Sequence, residues 1–151
     1  MLRKLLFGIG VGLGLALAQG LVKDLTPPEV EGFLREMGMV YKKKGDRIYV
    51  LTLEQPRAVR VVLVLDACEE NRCAVVALVT IFGKQVSLER LNQWNRDRRF
   101  SRAYKDEEGD TWLEWELDLE KGVTLEAVKE FLRFFIEETL PAFMEHIGVK
   151  P

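Results

Sequence analysis

Apolar and polar residues change their period along this chain, and each change marks an element. Val30, Phe33, Leu34 and Met37 recur at helical spacing behind Thr26-Pro27-Pro28-Glu29. There a threonine N-cap, proline at the first helical position and a glutamate three residues on form a capping box, so a helix starts there and ends at Gly38. Met39 to Lys43 and Arg47 to Leu53 are rich in Val, Tyr and Ile and flank Lys44-Gly45-Asp46, which reads as a hairpin; Pro56 punctuates the next connection. Val59 to Leu65 and Ala74 to Phe82 are apolar runs broken only by Arg60 and Thr80. Such strands are usually buried on both faces. The polar loop Glu69-Glu70-Asn71-Arg72 makes them antiparallel neighbours at the centre of the sheet.

Ser87 starts a second helix, with Leu88, Leu91 and Trp94 expected to face inward, ahead of the basic run Arg96 to Arg99. Phe100 to Tyr104 and Thr111 to Leu119 flank the turn Glu107-Glu108-Gly109-Asp110. In the second of these strands Leu113, Trp115, Leu117 and Leu119 share one face, and Trp112, Glu114, Glu116 and Asp118 the other. Thr124 caps a last helix striped by Val128, Phe131, Leu132, Phe135, Leu140, Phe143, Met144 and Ile147, with a kink or break expected near Glu137 to Leu140 because Pro141 removes a backbone donor. The pattern predicts an α+β domain over residues 26–148: an antiparallel sheet of about five to six strands packed by helices, in the order α-β-β-β-β-α-β-β-α. One helical layer covers one face, so the second face must meet another helix or another subunit.

The N-terminus belongs to a different class of segment. Met1 to Lys4 is short and basic, Leu5 to Leu15 is apolar, and Ala16-Leu17-Ala18 is a small-x-small site. This is the pattern of a signal peptide, residues 1–18, cleaved after Ala18 and followed by a linker at 19–25. Five glycines make the uncharged run Leu5 to Val22 a poor membrane span, so the expected product has no stable span and works in the periplasm or outside the cell. The remaining composition, 48% hydrophobic and 30% charged in 151 residues with a net charge of −2, suits one globular domain and gives no footprint for nucleic acid.

Candidate chemistry is sparse. Cys68 and Cys73 end the polar loop, where antiparallel pairing sets them opposite each other within disulfide reach, and export favours the bond. Two reduced core cysteines are the alternative; a metal site is not expected, since two cysteines and the remote His146 do not make a zinc ligand set. His146 sits in a last helical turn, where a cation complements the helix dipole. Glu114 and Glu116 share a strand face, which more often marks a solvated surface than an acid/base pair. No catalytic set and no cofactor motif emerges. Arginines 96, 98, 99 and 102 precede an acidic run, Asp106 to Glu120; these charges satisfy one another or form a complementary docking surface, to which Trp112 and Phe134 can also belong.

In order and spacing, Leu91-Asn92-Gln93-Trp94-Asn95, Arg99-Phe100-Ser101-Arg102-Ala103-Tyr104, Gly109-Asp110, Leu117-Asp118-Leu119 and Gly122-Val123-Thr124 resemble the YbjN-domain family of bacterial sensory transduction regulators. The resemblance spans roughly Thr26 to Ile147. It implies a fold similar to type III secretion chaperones, a homodimer, no enzyme activity and no catalytic residues to transfer. The export signal departs from the cytoplasmic setting of regulator-like members. Together these readings predict a non-enzymatic exported module that binds a protein or peptide, with an envelope small-ligand sensor, its pocket between sheet and last helix, as the alternative.

Overall fold

The computed structural model describes residues 20–54, 59–83 and 85–150; the expected signal peptide and the Pro56 connection lie outside the described residues. The segment expected as a linker is docked where it is described. Its strand β1 (Leu21–Val22) pairs with a later two-residue strand, Val123–Thr124, and Leu25 exchanges both backbone hydrogen bonds with Cys73 at 2.9 Å. Gly122, at φ 91°, lets the chain turn close beneath Leu21, whose side chain would stand 3.1 Å from a Cβ at that position.

Helix α1 (Pro27–Glu36) starts as its capping box requires, with the Glu29 carboxylate accepting the Thr26 N–H and hydroxyl at 2.7 Å each. Gly38, at φ 69°, ends it. Strands β2 (Val40–Lys43), β3 (Ile48–Thr52), β4 (Val61–Glu69) and β5 (Arg72–Phe82) follow as a meander. Helix α2 (Leu88–Asp97) then leads to β6 (Arg102–Lys105) and β7 (Thr111–Asp118). These six strands form one antiparallel sheet in the order β2-β3-β4-β5-β7-β6. The fold is thus α+β, with the expected elements in the expected order. Leu88 is an exception: it is exposed at the start of α2, while Leu91 and Trp94 turn inward.

After β8 (Val123–Thr124) the chain is helical to its end: α3 (Leu125–Phe134), a π-helical turn (Phe135–Thr139) and α4 (Leu140–His146). The disturbance expected at Pro141 is this wide turn rather than a break. The Leu140 N–H reaches back to the Phe135 carbonyl, five residues earlier, so the missing donor and the proline ring are accommodated in a continuous helix. Val128, Phe131, Leu132, Phe135, Leu140, Phe143, Met144 and Ile147 all lie in the core, as their spacing predicts. Lys129 is also buried beside them, its ammonium 2.8 Å from the Glu36 carboxylate.

The helices all pack on one face of the sheet, against Tyr49, Leu51, Leu63, Leu78, Leu113 and their neighbours. On the other face the register aligns Ile48 with Val64, Val50 with Val62, Val62 with Val79, Val64 with Ala77 and Asp66 with Val75. No helix of the described residues covers it. Burial on both faces is therefore confined to the middle of β5, Val76 to Thr80, and to Leu113 and Glu114 of the neighbouring β7, whereas β4 alternates between buried Val61, Leu63 and Leu65 and half-buried Val62 and Val64. No helix among the described residues is long and apolar enough to cross a membrane.

Candidate partner-binding surfaces

The two cysteines face each other at the end of the central hairpin. Glu69 and Arg72 still pair, which leaves a two-residue loop, and Cys68 and Cys73 are bonded with Cα atoms 3.9 Å apart. Cys73 is fully buried and its backbone holds Leu25, so the disulfide closes the hairpin at the strand position where the N-terminal segment docks. Its surroundings are structural.

The tract from Trp94 onward organises the sheet edge. Trp94 is buried, donates its ring N–H to the Ser101 hydroxyl at 3.2 Å, and packs edge-on against Phe143 with ring centres 4.9 Å apart. Asn95 acts as a substitute strand: its side-chain N–H donates to the Ala103 carbonyl at 2.9 Å and its oxygen accepts the Ala103 N–H at 2.8 Å. β6 is an edge strand, and the amide covers part of that edge. His146 has a matching structural part, with Nε2 2.7 Å from the Arg90 carbonyl oxygen while the Arg90 guanidinium donates to the His146 carbonyl at 2.8 Å, clamping α2 to α4.

The uncovered sheet face carries a polar cluster beside its apolar centre. Glu114 is almost fully buried there and accepts hydrogen bonds from Arg102 and from the Tyr104 hydroxyl, both at 2.8 Å. Burial alone would raise its pKa, but the bonds from Arg102, Glu116 and Tyr104 outweigh that and hold it below the ordinary glutamate range. Glu116, which is hydrogen-bonded to Glu114 and repelled by its charge, is pushed up. Burial and the bond to Glu114 raise the Tyr104 hydroxyl to about 12. Trp112 stacks on Tyr104, centres 5.9 Å apart, and donates its ring N–H to Asp106 at 2.8 Å. Arg102 engages both carboxylates, so the group is an ion network.

On the opposite, helical side lies a second surface. Phe100 stacks on Trp115 with ring centres 5.4 Å apart, and Phe134 meets the same indole edge-on at 5.8 Å. Phe100 and Phe134 are 68% and 44% exposed. Two hollows adjoin this pair, one of about 220 Å³ lined also by Arg98, Arg99 and Glu138, the other of about 280 Å³ lined by Trp115, Leu117 and Glu130.

The structure therefore divides the residues that the sequence grouped. Arg98, Arg99 and Phe134 come together on the helical side; Arg102 and Trp112 lie on the uncovered sheet face; Arg96 is exposed on α2 and bonded to its neighbour Asp97 at 2.7 Å. Phe100, which the pattern placed in a strand, is the residue that sequence reasoning missed. Its signal was a large aromatic side chain set inside a run of arginines.

Among the described residues no group of three or more His, Cys, Asp or Glu side chains is placed to hold a metal ion. A search of curated proteins found no match. A comparison with known families matches residues 26–146 to YbjN, described as "Putative bacterial sensory transduction regulator". That match takes in α1, the whole sheet and the last helix as far as His146, so the chain belongs to the YbjN family.

Proposed function

We propose that this chain is a non-enzymatic regulatory module of the bacterial envelope that acts as a homodimer and binds a protein or peptide partner. The observation that carries this reading is the uncovered sheet face. Half-buried Val50, Val62, Val64 and Val75 form a continuous apolar strip there, with Ile48 and Ile81 at its margins 39% and 45% exposed. Contiguous apolar surface of this kind marks an association site. Two copies related by a twofold axis would bury the same strip against itself. Arg102 and Glu116, paired with each other at 3.5 Å and both with half or more of the side chain exposed, border the strip as a polar rim. The disulfide supports a site of action in an oxidising compartment.

The core gives the small-ligand reading no comparable support. Between sheet and last helix Phe82, Phe143 and Trp94 pack ring to ring, with Phe82 and Phe143 centred 5.4 Å apart. Sedimentation velocity of the purified protein tests the dimer: a species of twice the chain mass is expected, converted to monomer by Ile81→Lys with the helical content unchanged. A monomer at high micromolar concentration would overturn the reading.

A further inference from the structure

We infer that the aromatic surface around Phe100 recognises a short peptide segment of a partner protein, one in which an acidic residue adjoins an aromatic or large aliphatic residue. This deepens the partner-binding reading above and rests on it. The backbone is the first ground. Phe100 has φ 72°, a left-handed conformation that glycine adopts freely and a bulky L-residue adopts rarely. The strain holds a largely exposed phenylalanine out over Trp115, and strain of this sort is retained where the surrounding structure needs a side chain in one place.

Charge supplies the second ground and selects the ligand. Arg96, Arg102 and Arg133 each have a carboxylate partner, but Arg98 and Arg99 form no salt bridge among the described residues. Arg98 lies over the Trp94 ring at 5.3 Å, which fixes its stem and leaves the guanidinium edge for an acceptor. Both arginines line the first hollow next to Phe100. Glu138 and Glu130 border the helical side of the two hollows, so an acidic residue is favoured only at the arginine end. The second hollow, floored by Trp115, Leu117 and Phe131, takes the apolar side chain. A carboxylate on Arg98 and Arg99, followed by an apolar residue across Phe100 and Phe134, meets both demands.

Panning a random-peptide phage library on the full protein tests this, with an enriched peptide then titrated by fluorescence anisotropy. Selection of peptides with an acidic residue beside an aromatic or aliphatic one is expected. Arg99→Glu and Phe100→Gly should each weaken that peptide at least tenfold. Because glycine relieves the left-handed strain while the ring is lost, Phe100→Gly should keep Tm within about 4 °C of the parent. Enrichment without acidic residues, no enrichment over an unrelated protein, or unchanged affinity in both variants would each overturn the inference. Dimers that select no peptide sink this site and leave the dimer standing; a monomer that selects the motif sinks the dimer and leaves this site.

Discussion

Replacing Asn95 removes a piece of the sheet without touching the sheet itself. Its amide makes two hydrogen bonds to the backbone of Ala103, an almost fully buried residue of the edge strand β6. Each bond contributes about 1 kcal/mol net, so Asn95→Ala should destabilise the protein by about 2 kcal/mol, with water at the exposed edge setting the lower bound. For a chain of this size that lowers Tm by about 4–8 °C. Asn95→Asp is the more discriminating change. The carboxylate still accepts the Ala103 N–H, but its second oxygen now faces the Ala103 carbonyl where an N–H donated. Ionised, it should cost at least as much as alanine; protonated, it regains a donor. The folded-state carboxyl is thereby raised above its unfolded value, so the Asn95→Asp variant should recover stability relative to parent as pH falls towards about 4, with the recovery complete below it. Urea unfolding of parent and both variants at neutral and acidic pH measures this. An Asn95→Ala change under about 0.5 kcal/mol, or an aspartate milder than alanine at neutral pH, would refute the substitute-strand account.

Two further outcomes concern the hairpin and the tyrosines. Cys68 and Cys73 are separated by five positions, and closing so short a loop stabilises the folded chain by about 2 kcal/mol in the chain-entropy account, so a Cys68→Ala/Cys73→Ala double variant should unfold about 4–8 °C lower and become insensitive to reductant. An unchanged melting curve would show that the two-residue turn alone holds the strands. Tyr49 and Tyr104 are both raised to about 12, chiefly by burial, so their stabilisation is intact below the free tyrosine value near 10 and is lost as pH rises towards 12. Absorbance at about 295 nm should show Tyr49 and Tyr104 ionising late and together with unfolding; ionisation of either near 10 would contradict it.

Elements with local chemistry were legible. Thr26 with Glu29, Ser87 and Thr124 cap their helices through side chains that the residue types announce: Ser87 accepts the Arg90 N–H at 3.3 Å and Thr124 the Ala127 N–H at 3.1 Å. Period-two alternation placed Trp112, Glu114 and Glu116 together on one face of β7, and Trp115 with the core on the other. What escaped depends on distant partners. β1 has two residues, too few for a period, and exists because Val123–Thr124 lies beside it. Pro141 announces a disturbance, but whether the helix breaks or widens is decided by Phe135, Leu140 and Phe143, all fully buried and pulling the chain onto one face. Leu88 satisfies helical spacing yet stands 70% exposed at the start of α2.

The division of the expected docking surface has the same origin. Arginines 98, 99 and 102 are close in sequence, but Arg98 and Arg99 precede β6 and Arg102 is in it, where the pleat assigns each side chain to one face. Arg102 pairs across to Glu114 on the uncovered face. Trp115, one residue further along β7, points to the other side and carries Phe100 and Phe134. Adjacent residues of a single strand thus belong to the two surfaces, one apolar with a charged margin, the other aromatic and basic. Any shift of β7 in the sheet moves Glu114 and Trp115 together. Because one peptide unit joins Glu114 to Trp115, the two surfaces share β7 as a common support, and a substitution that distorts this strand perturbs both.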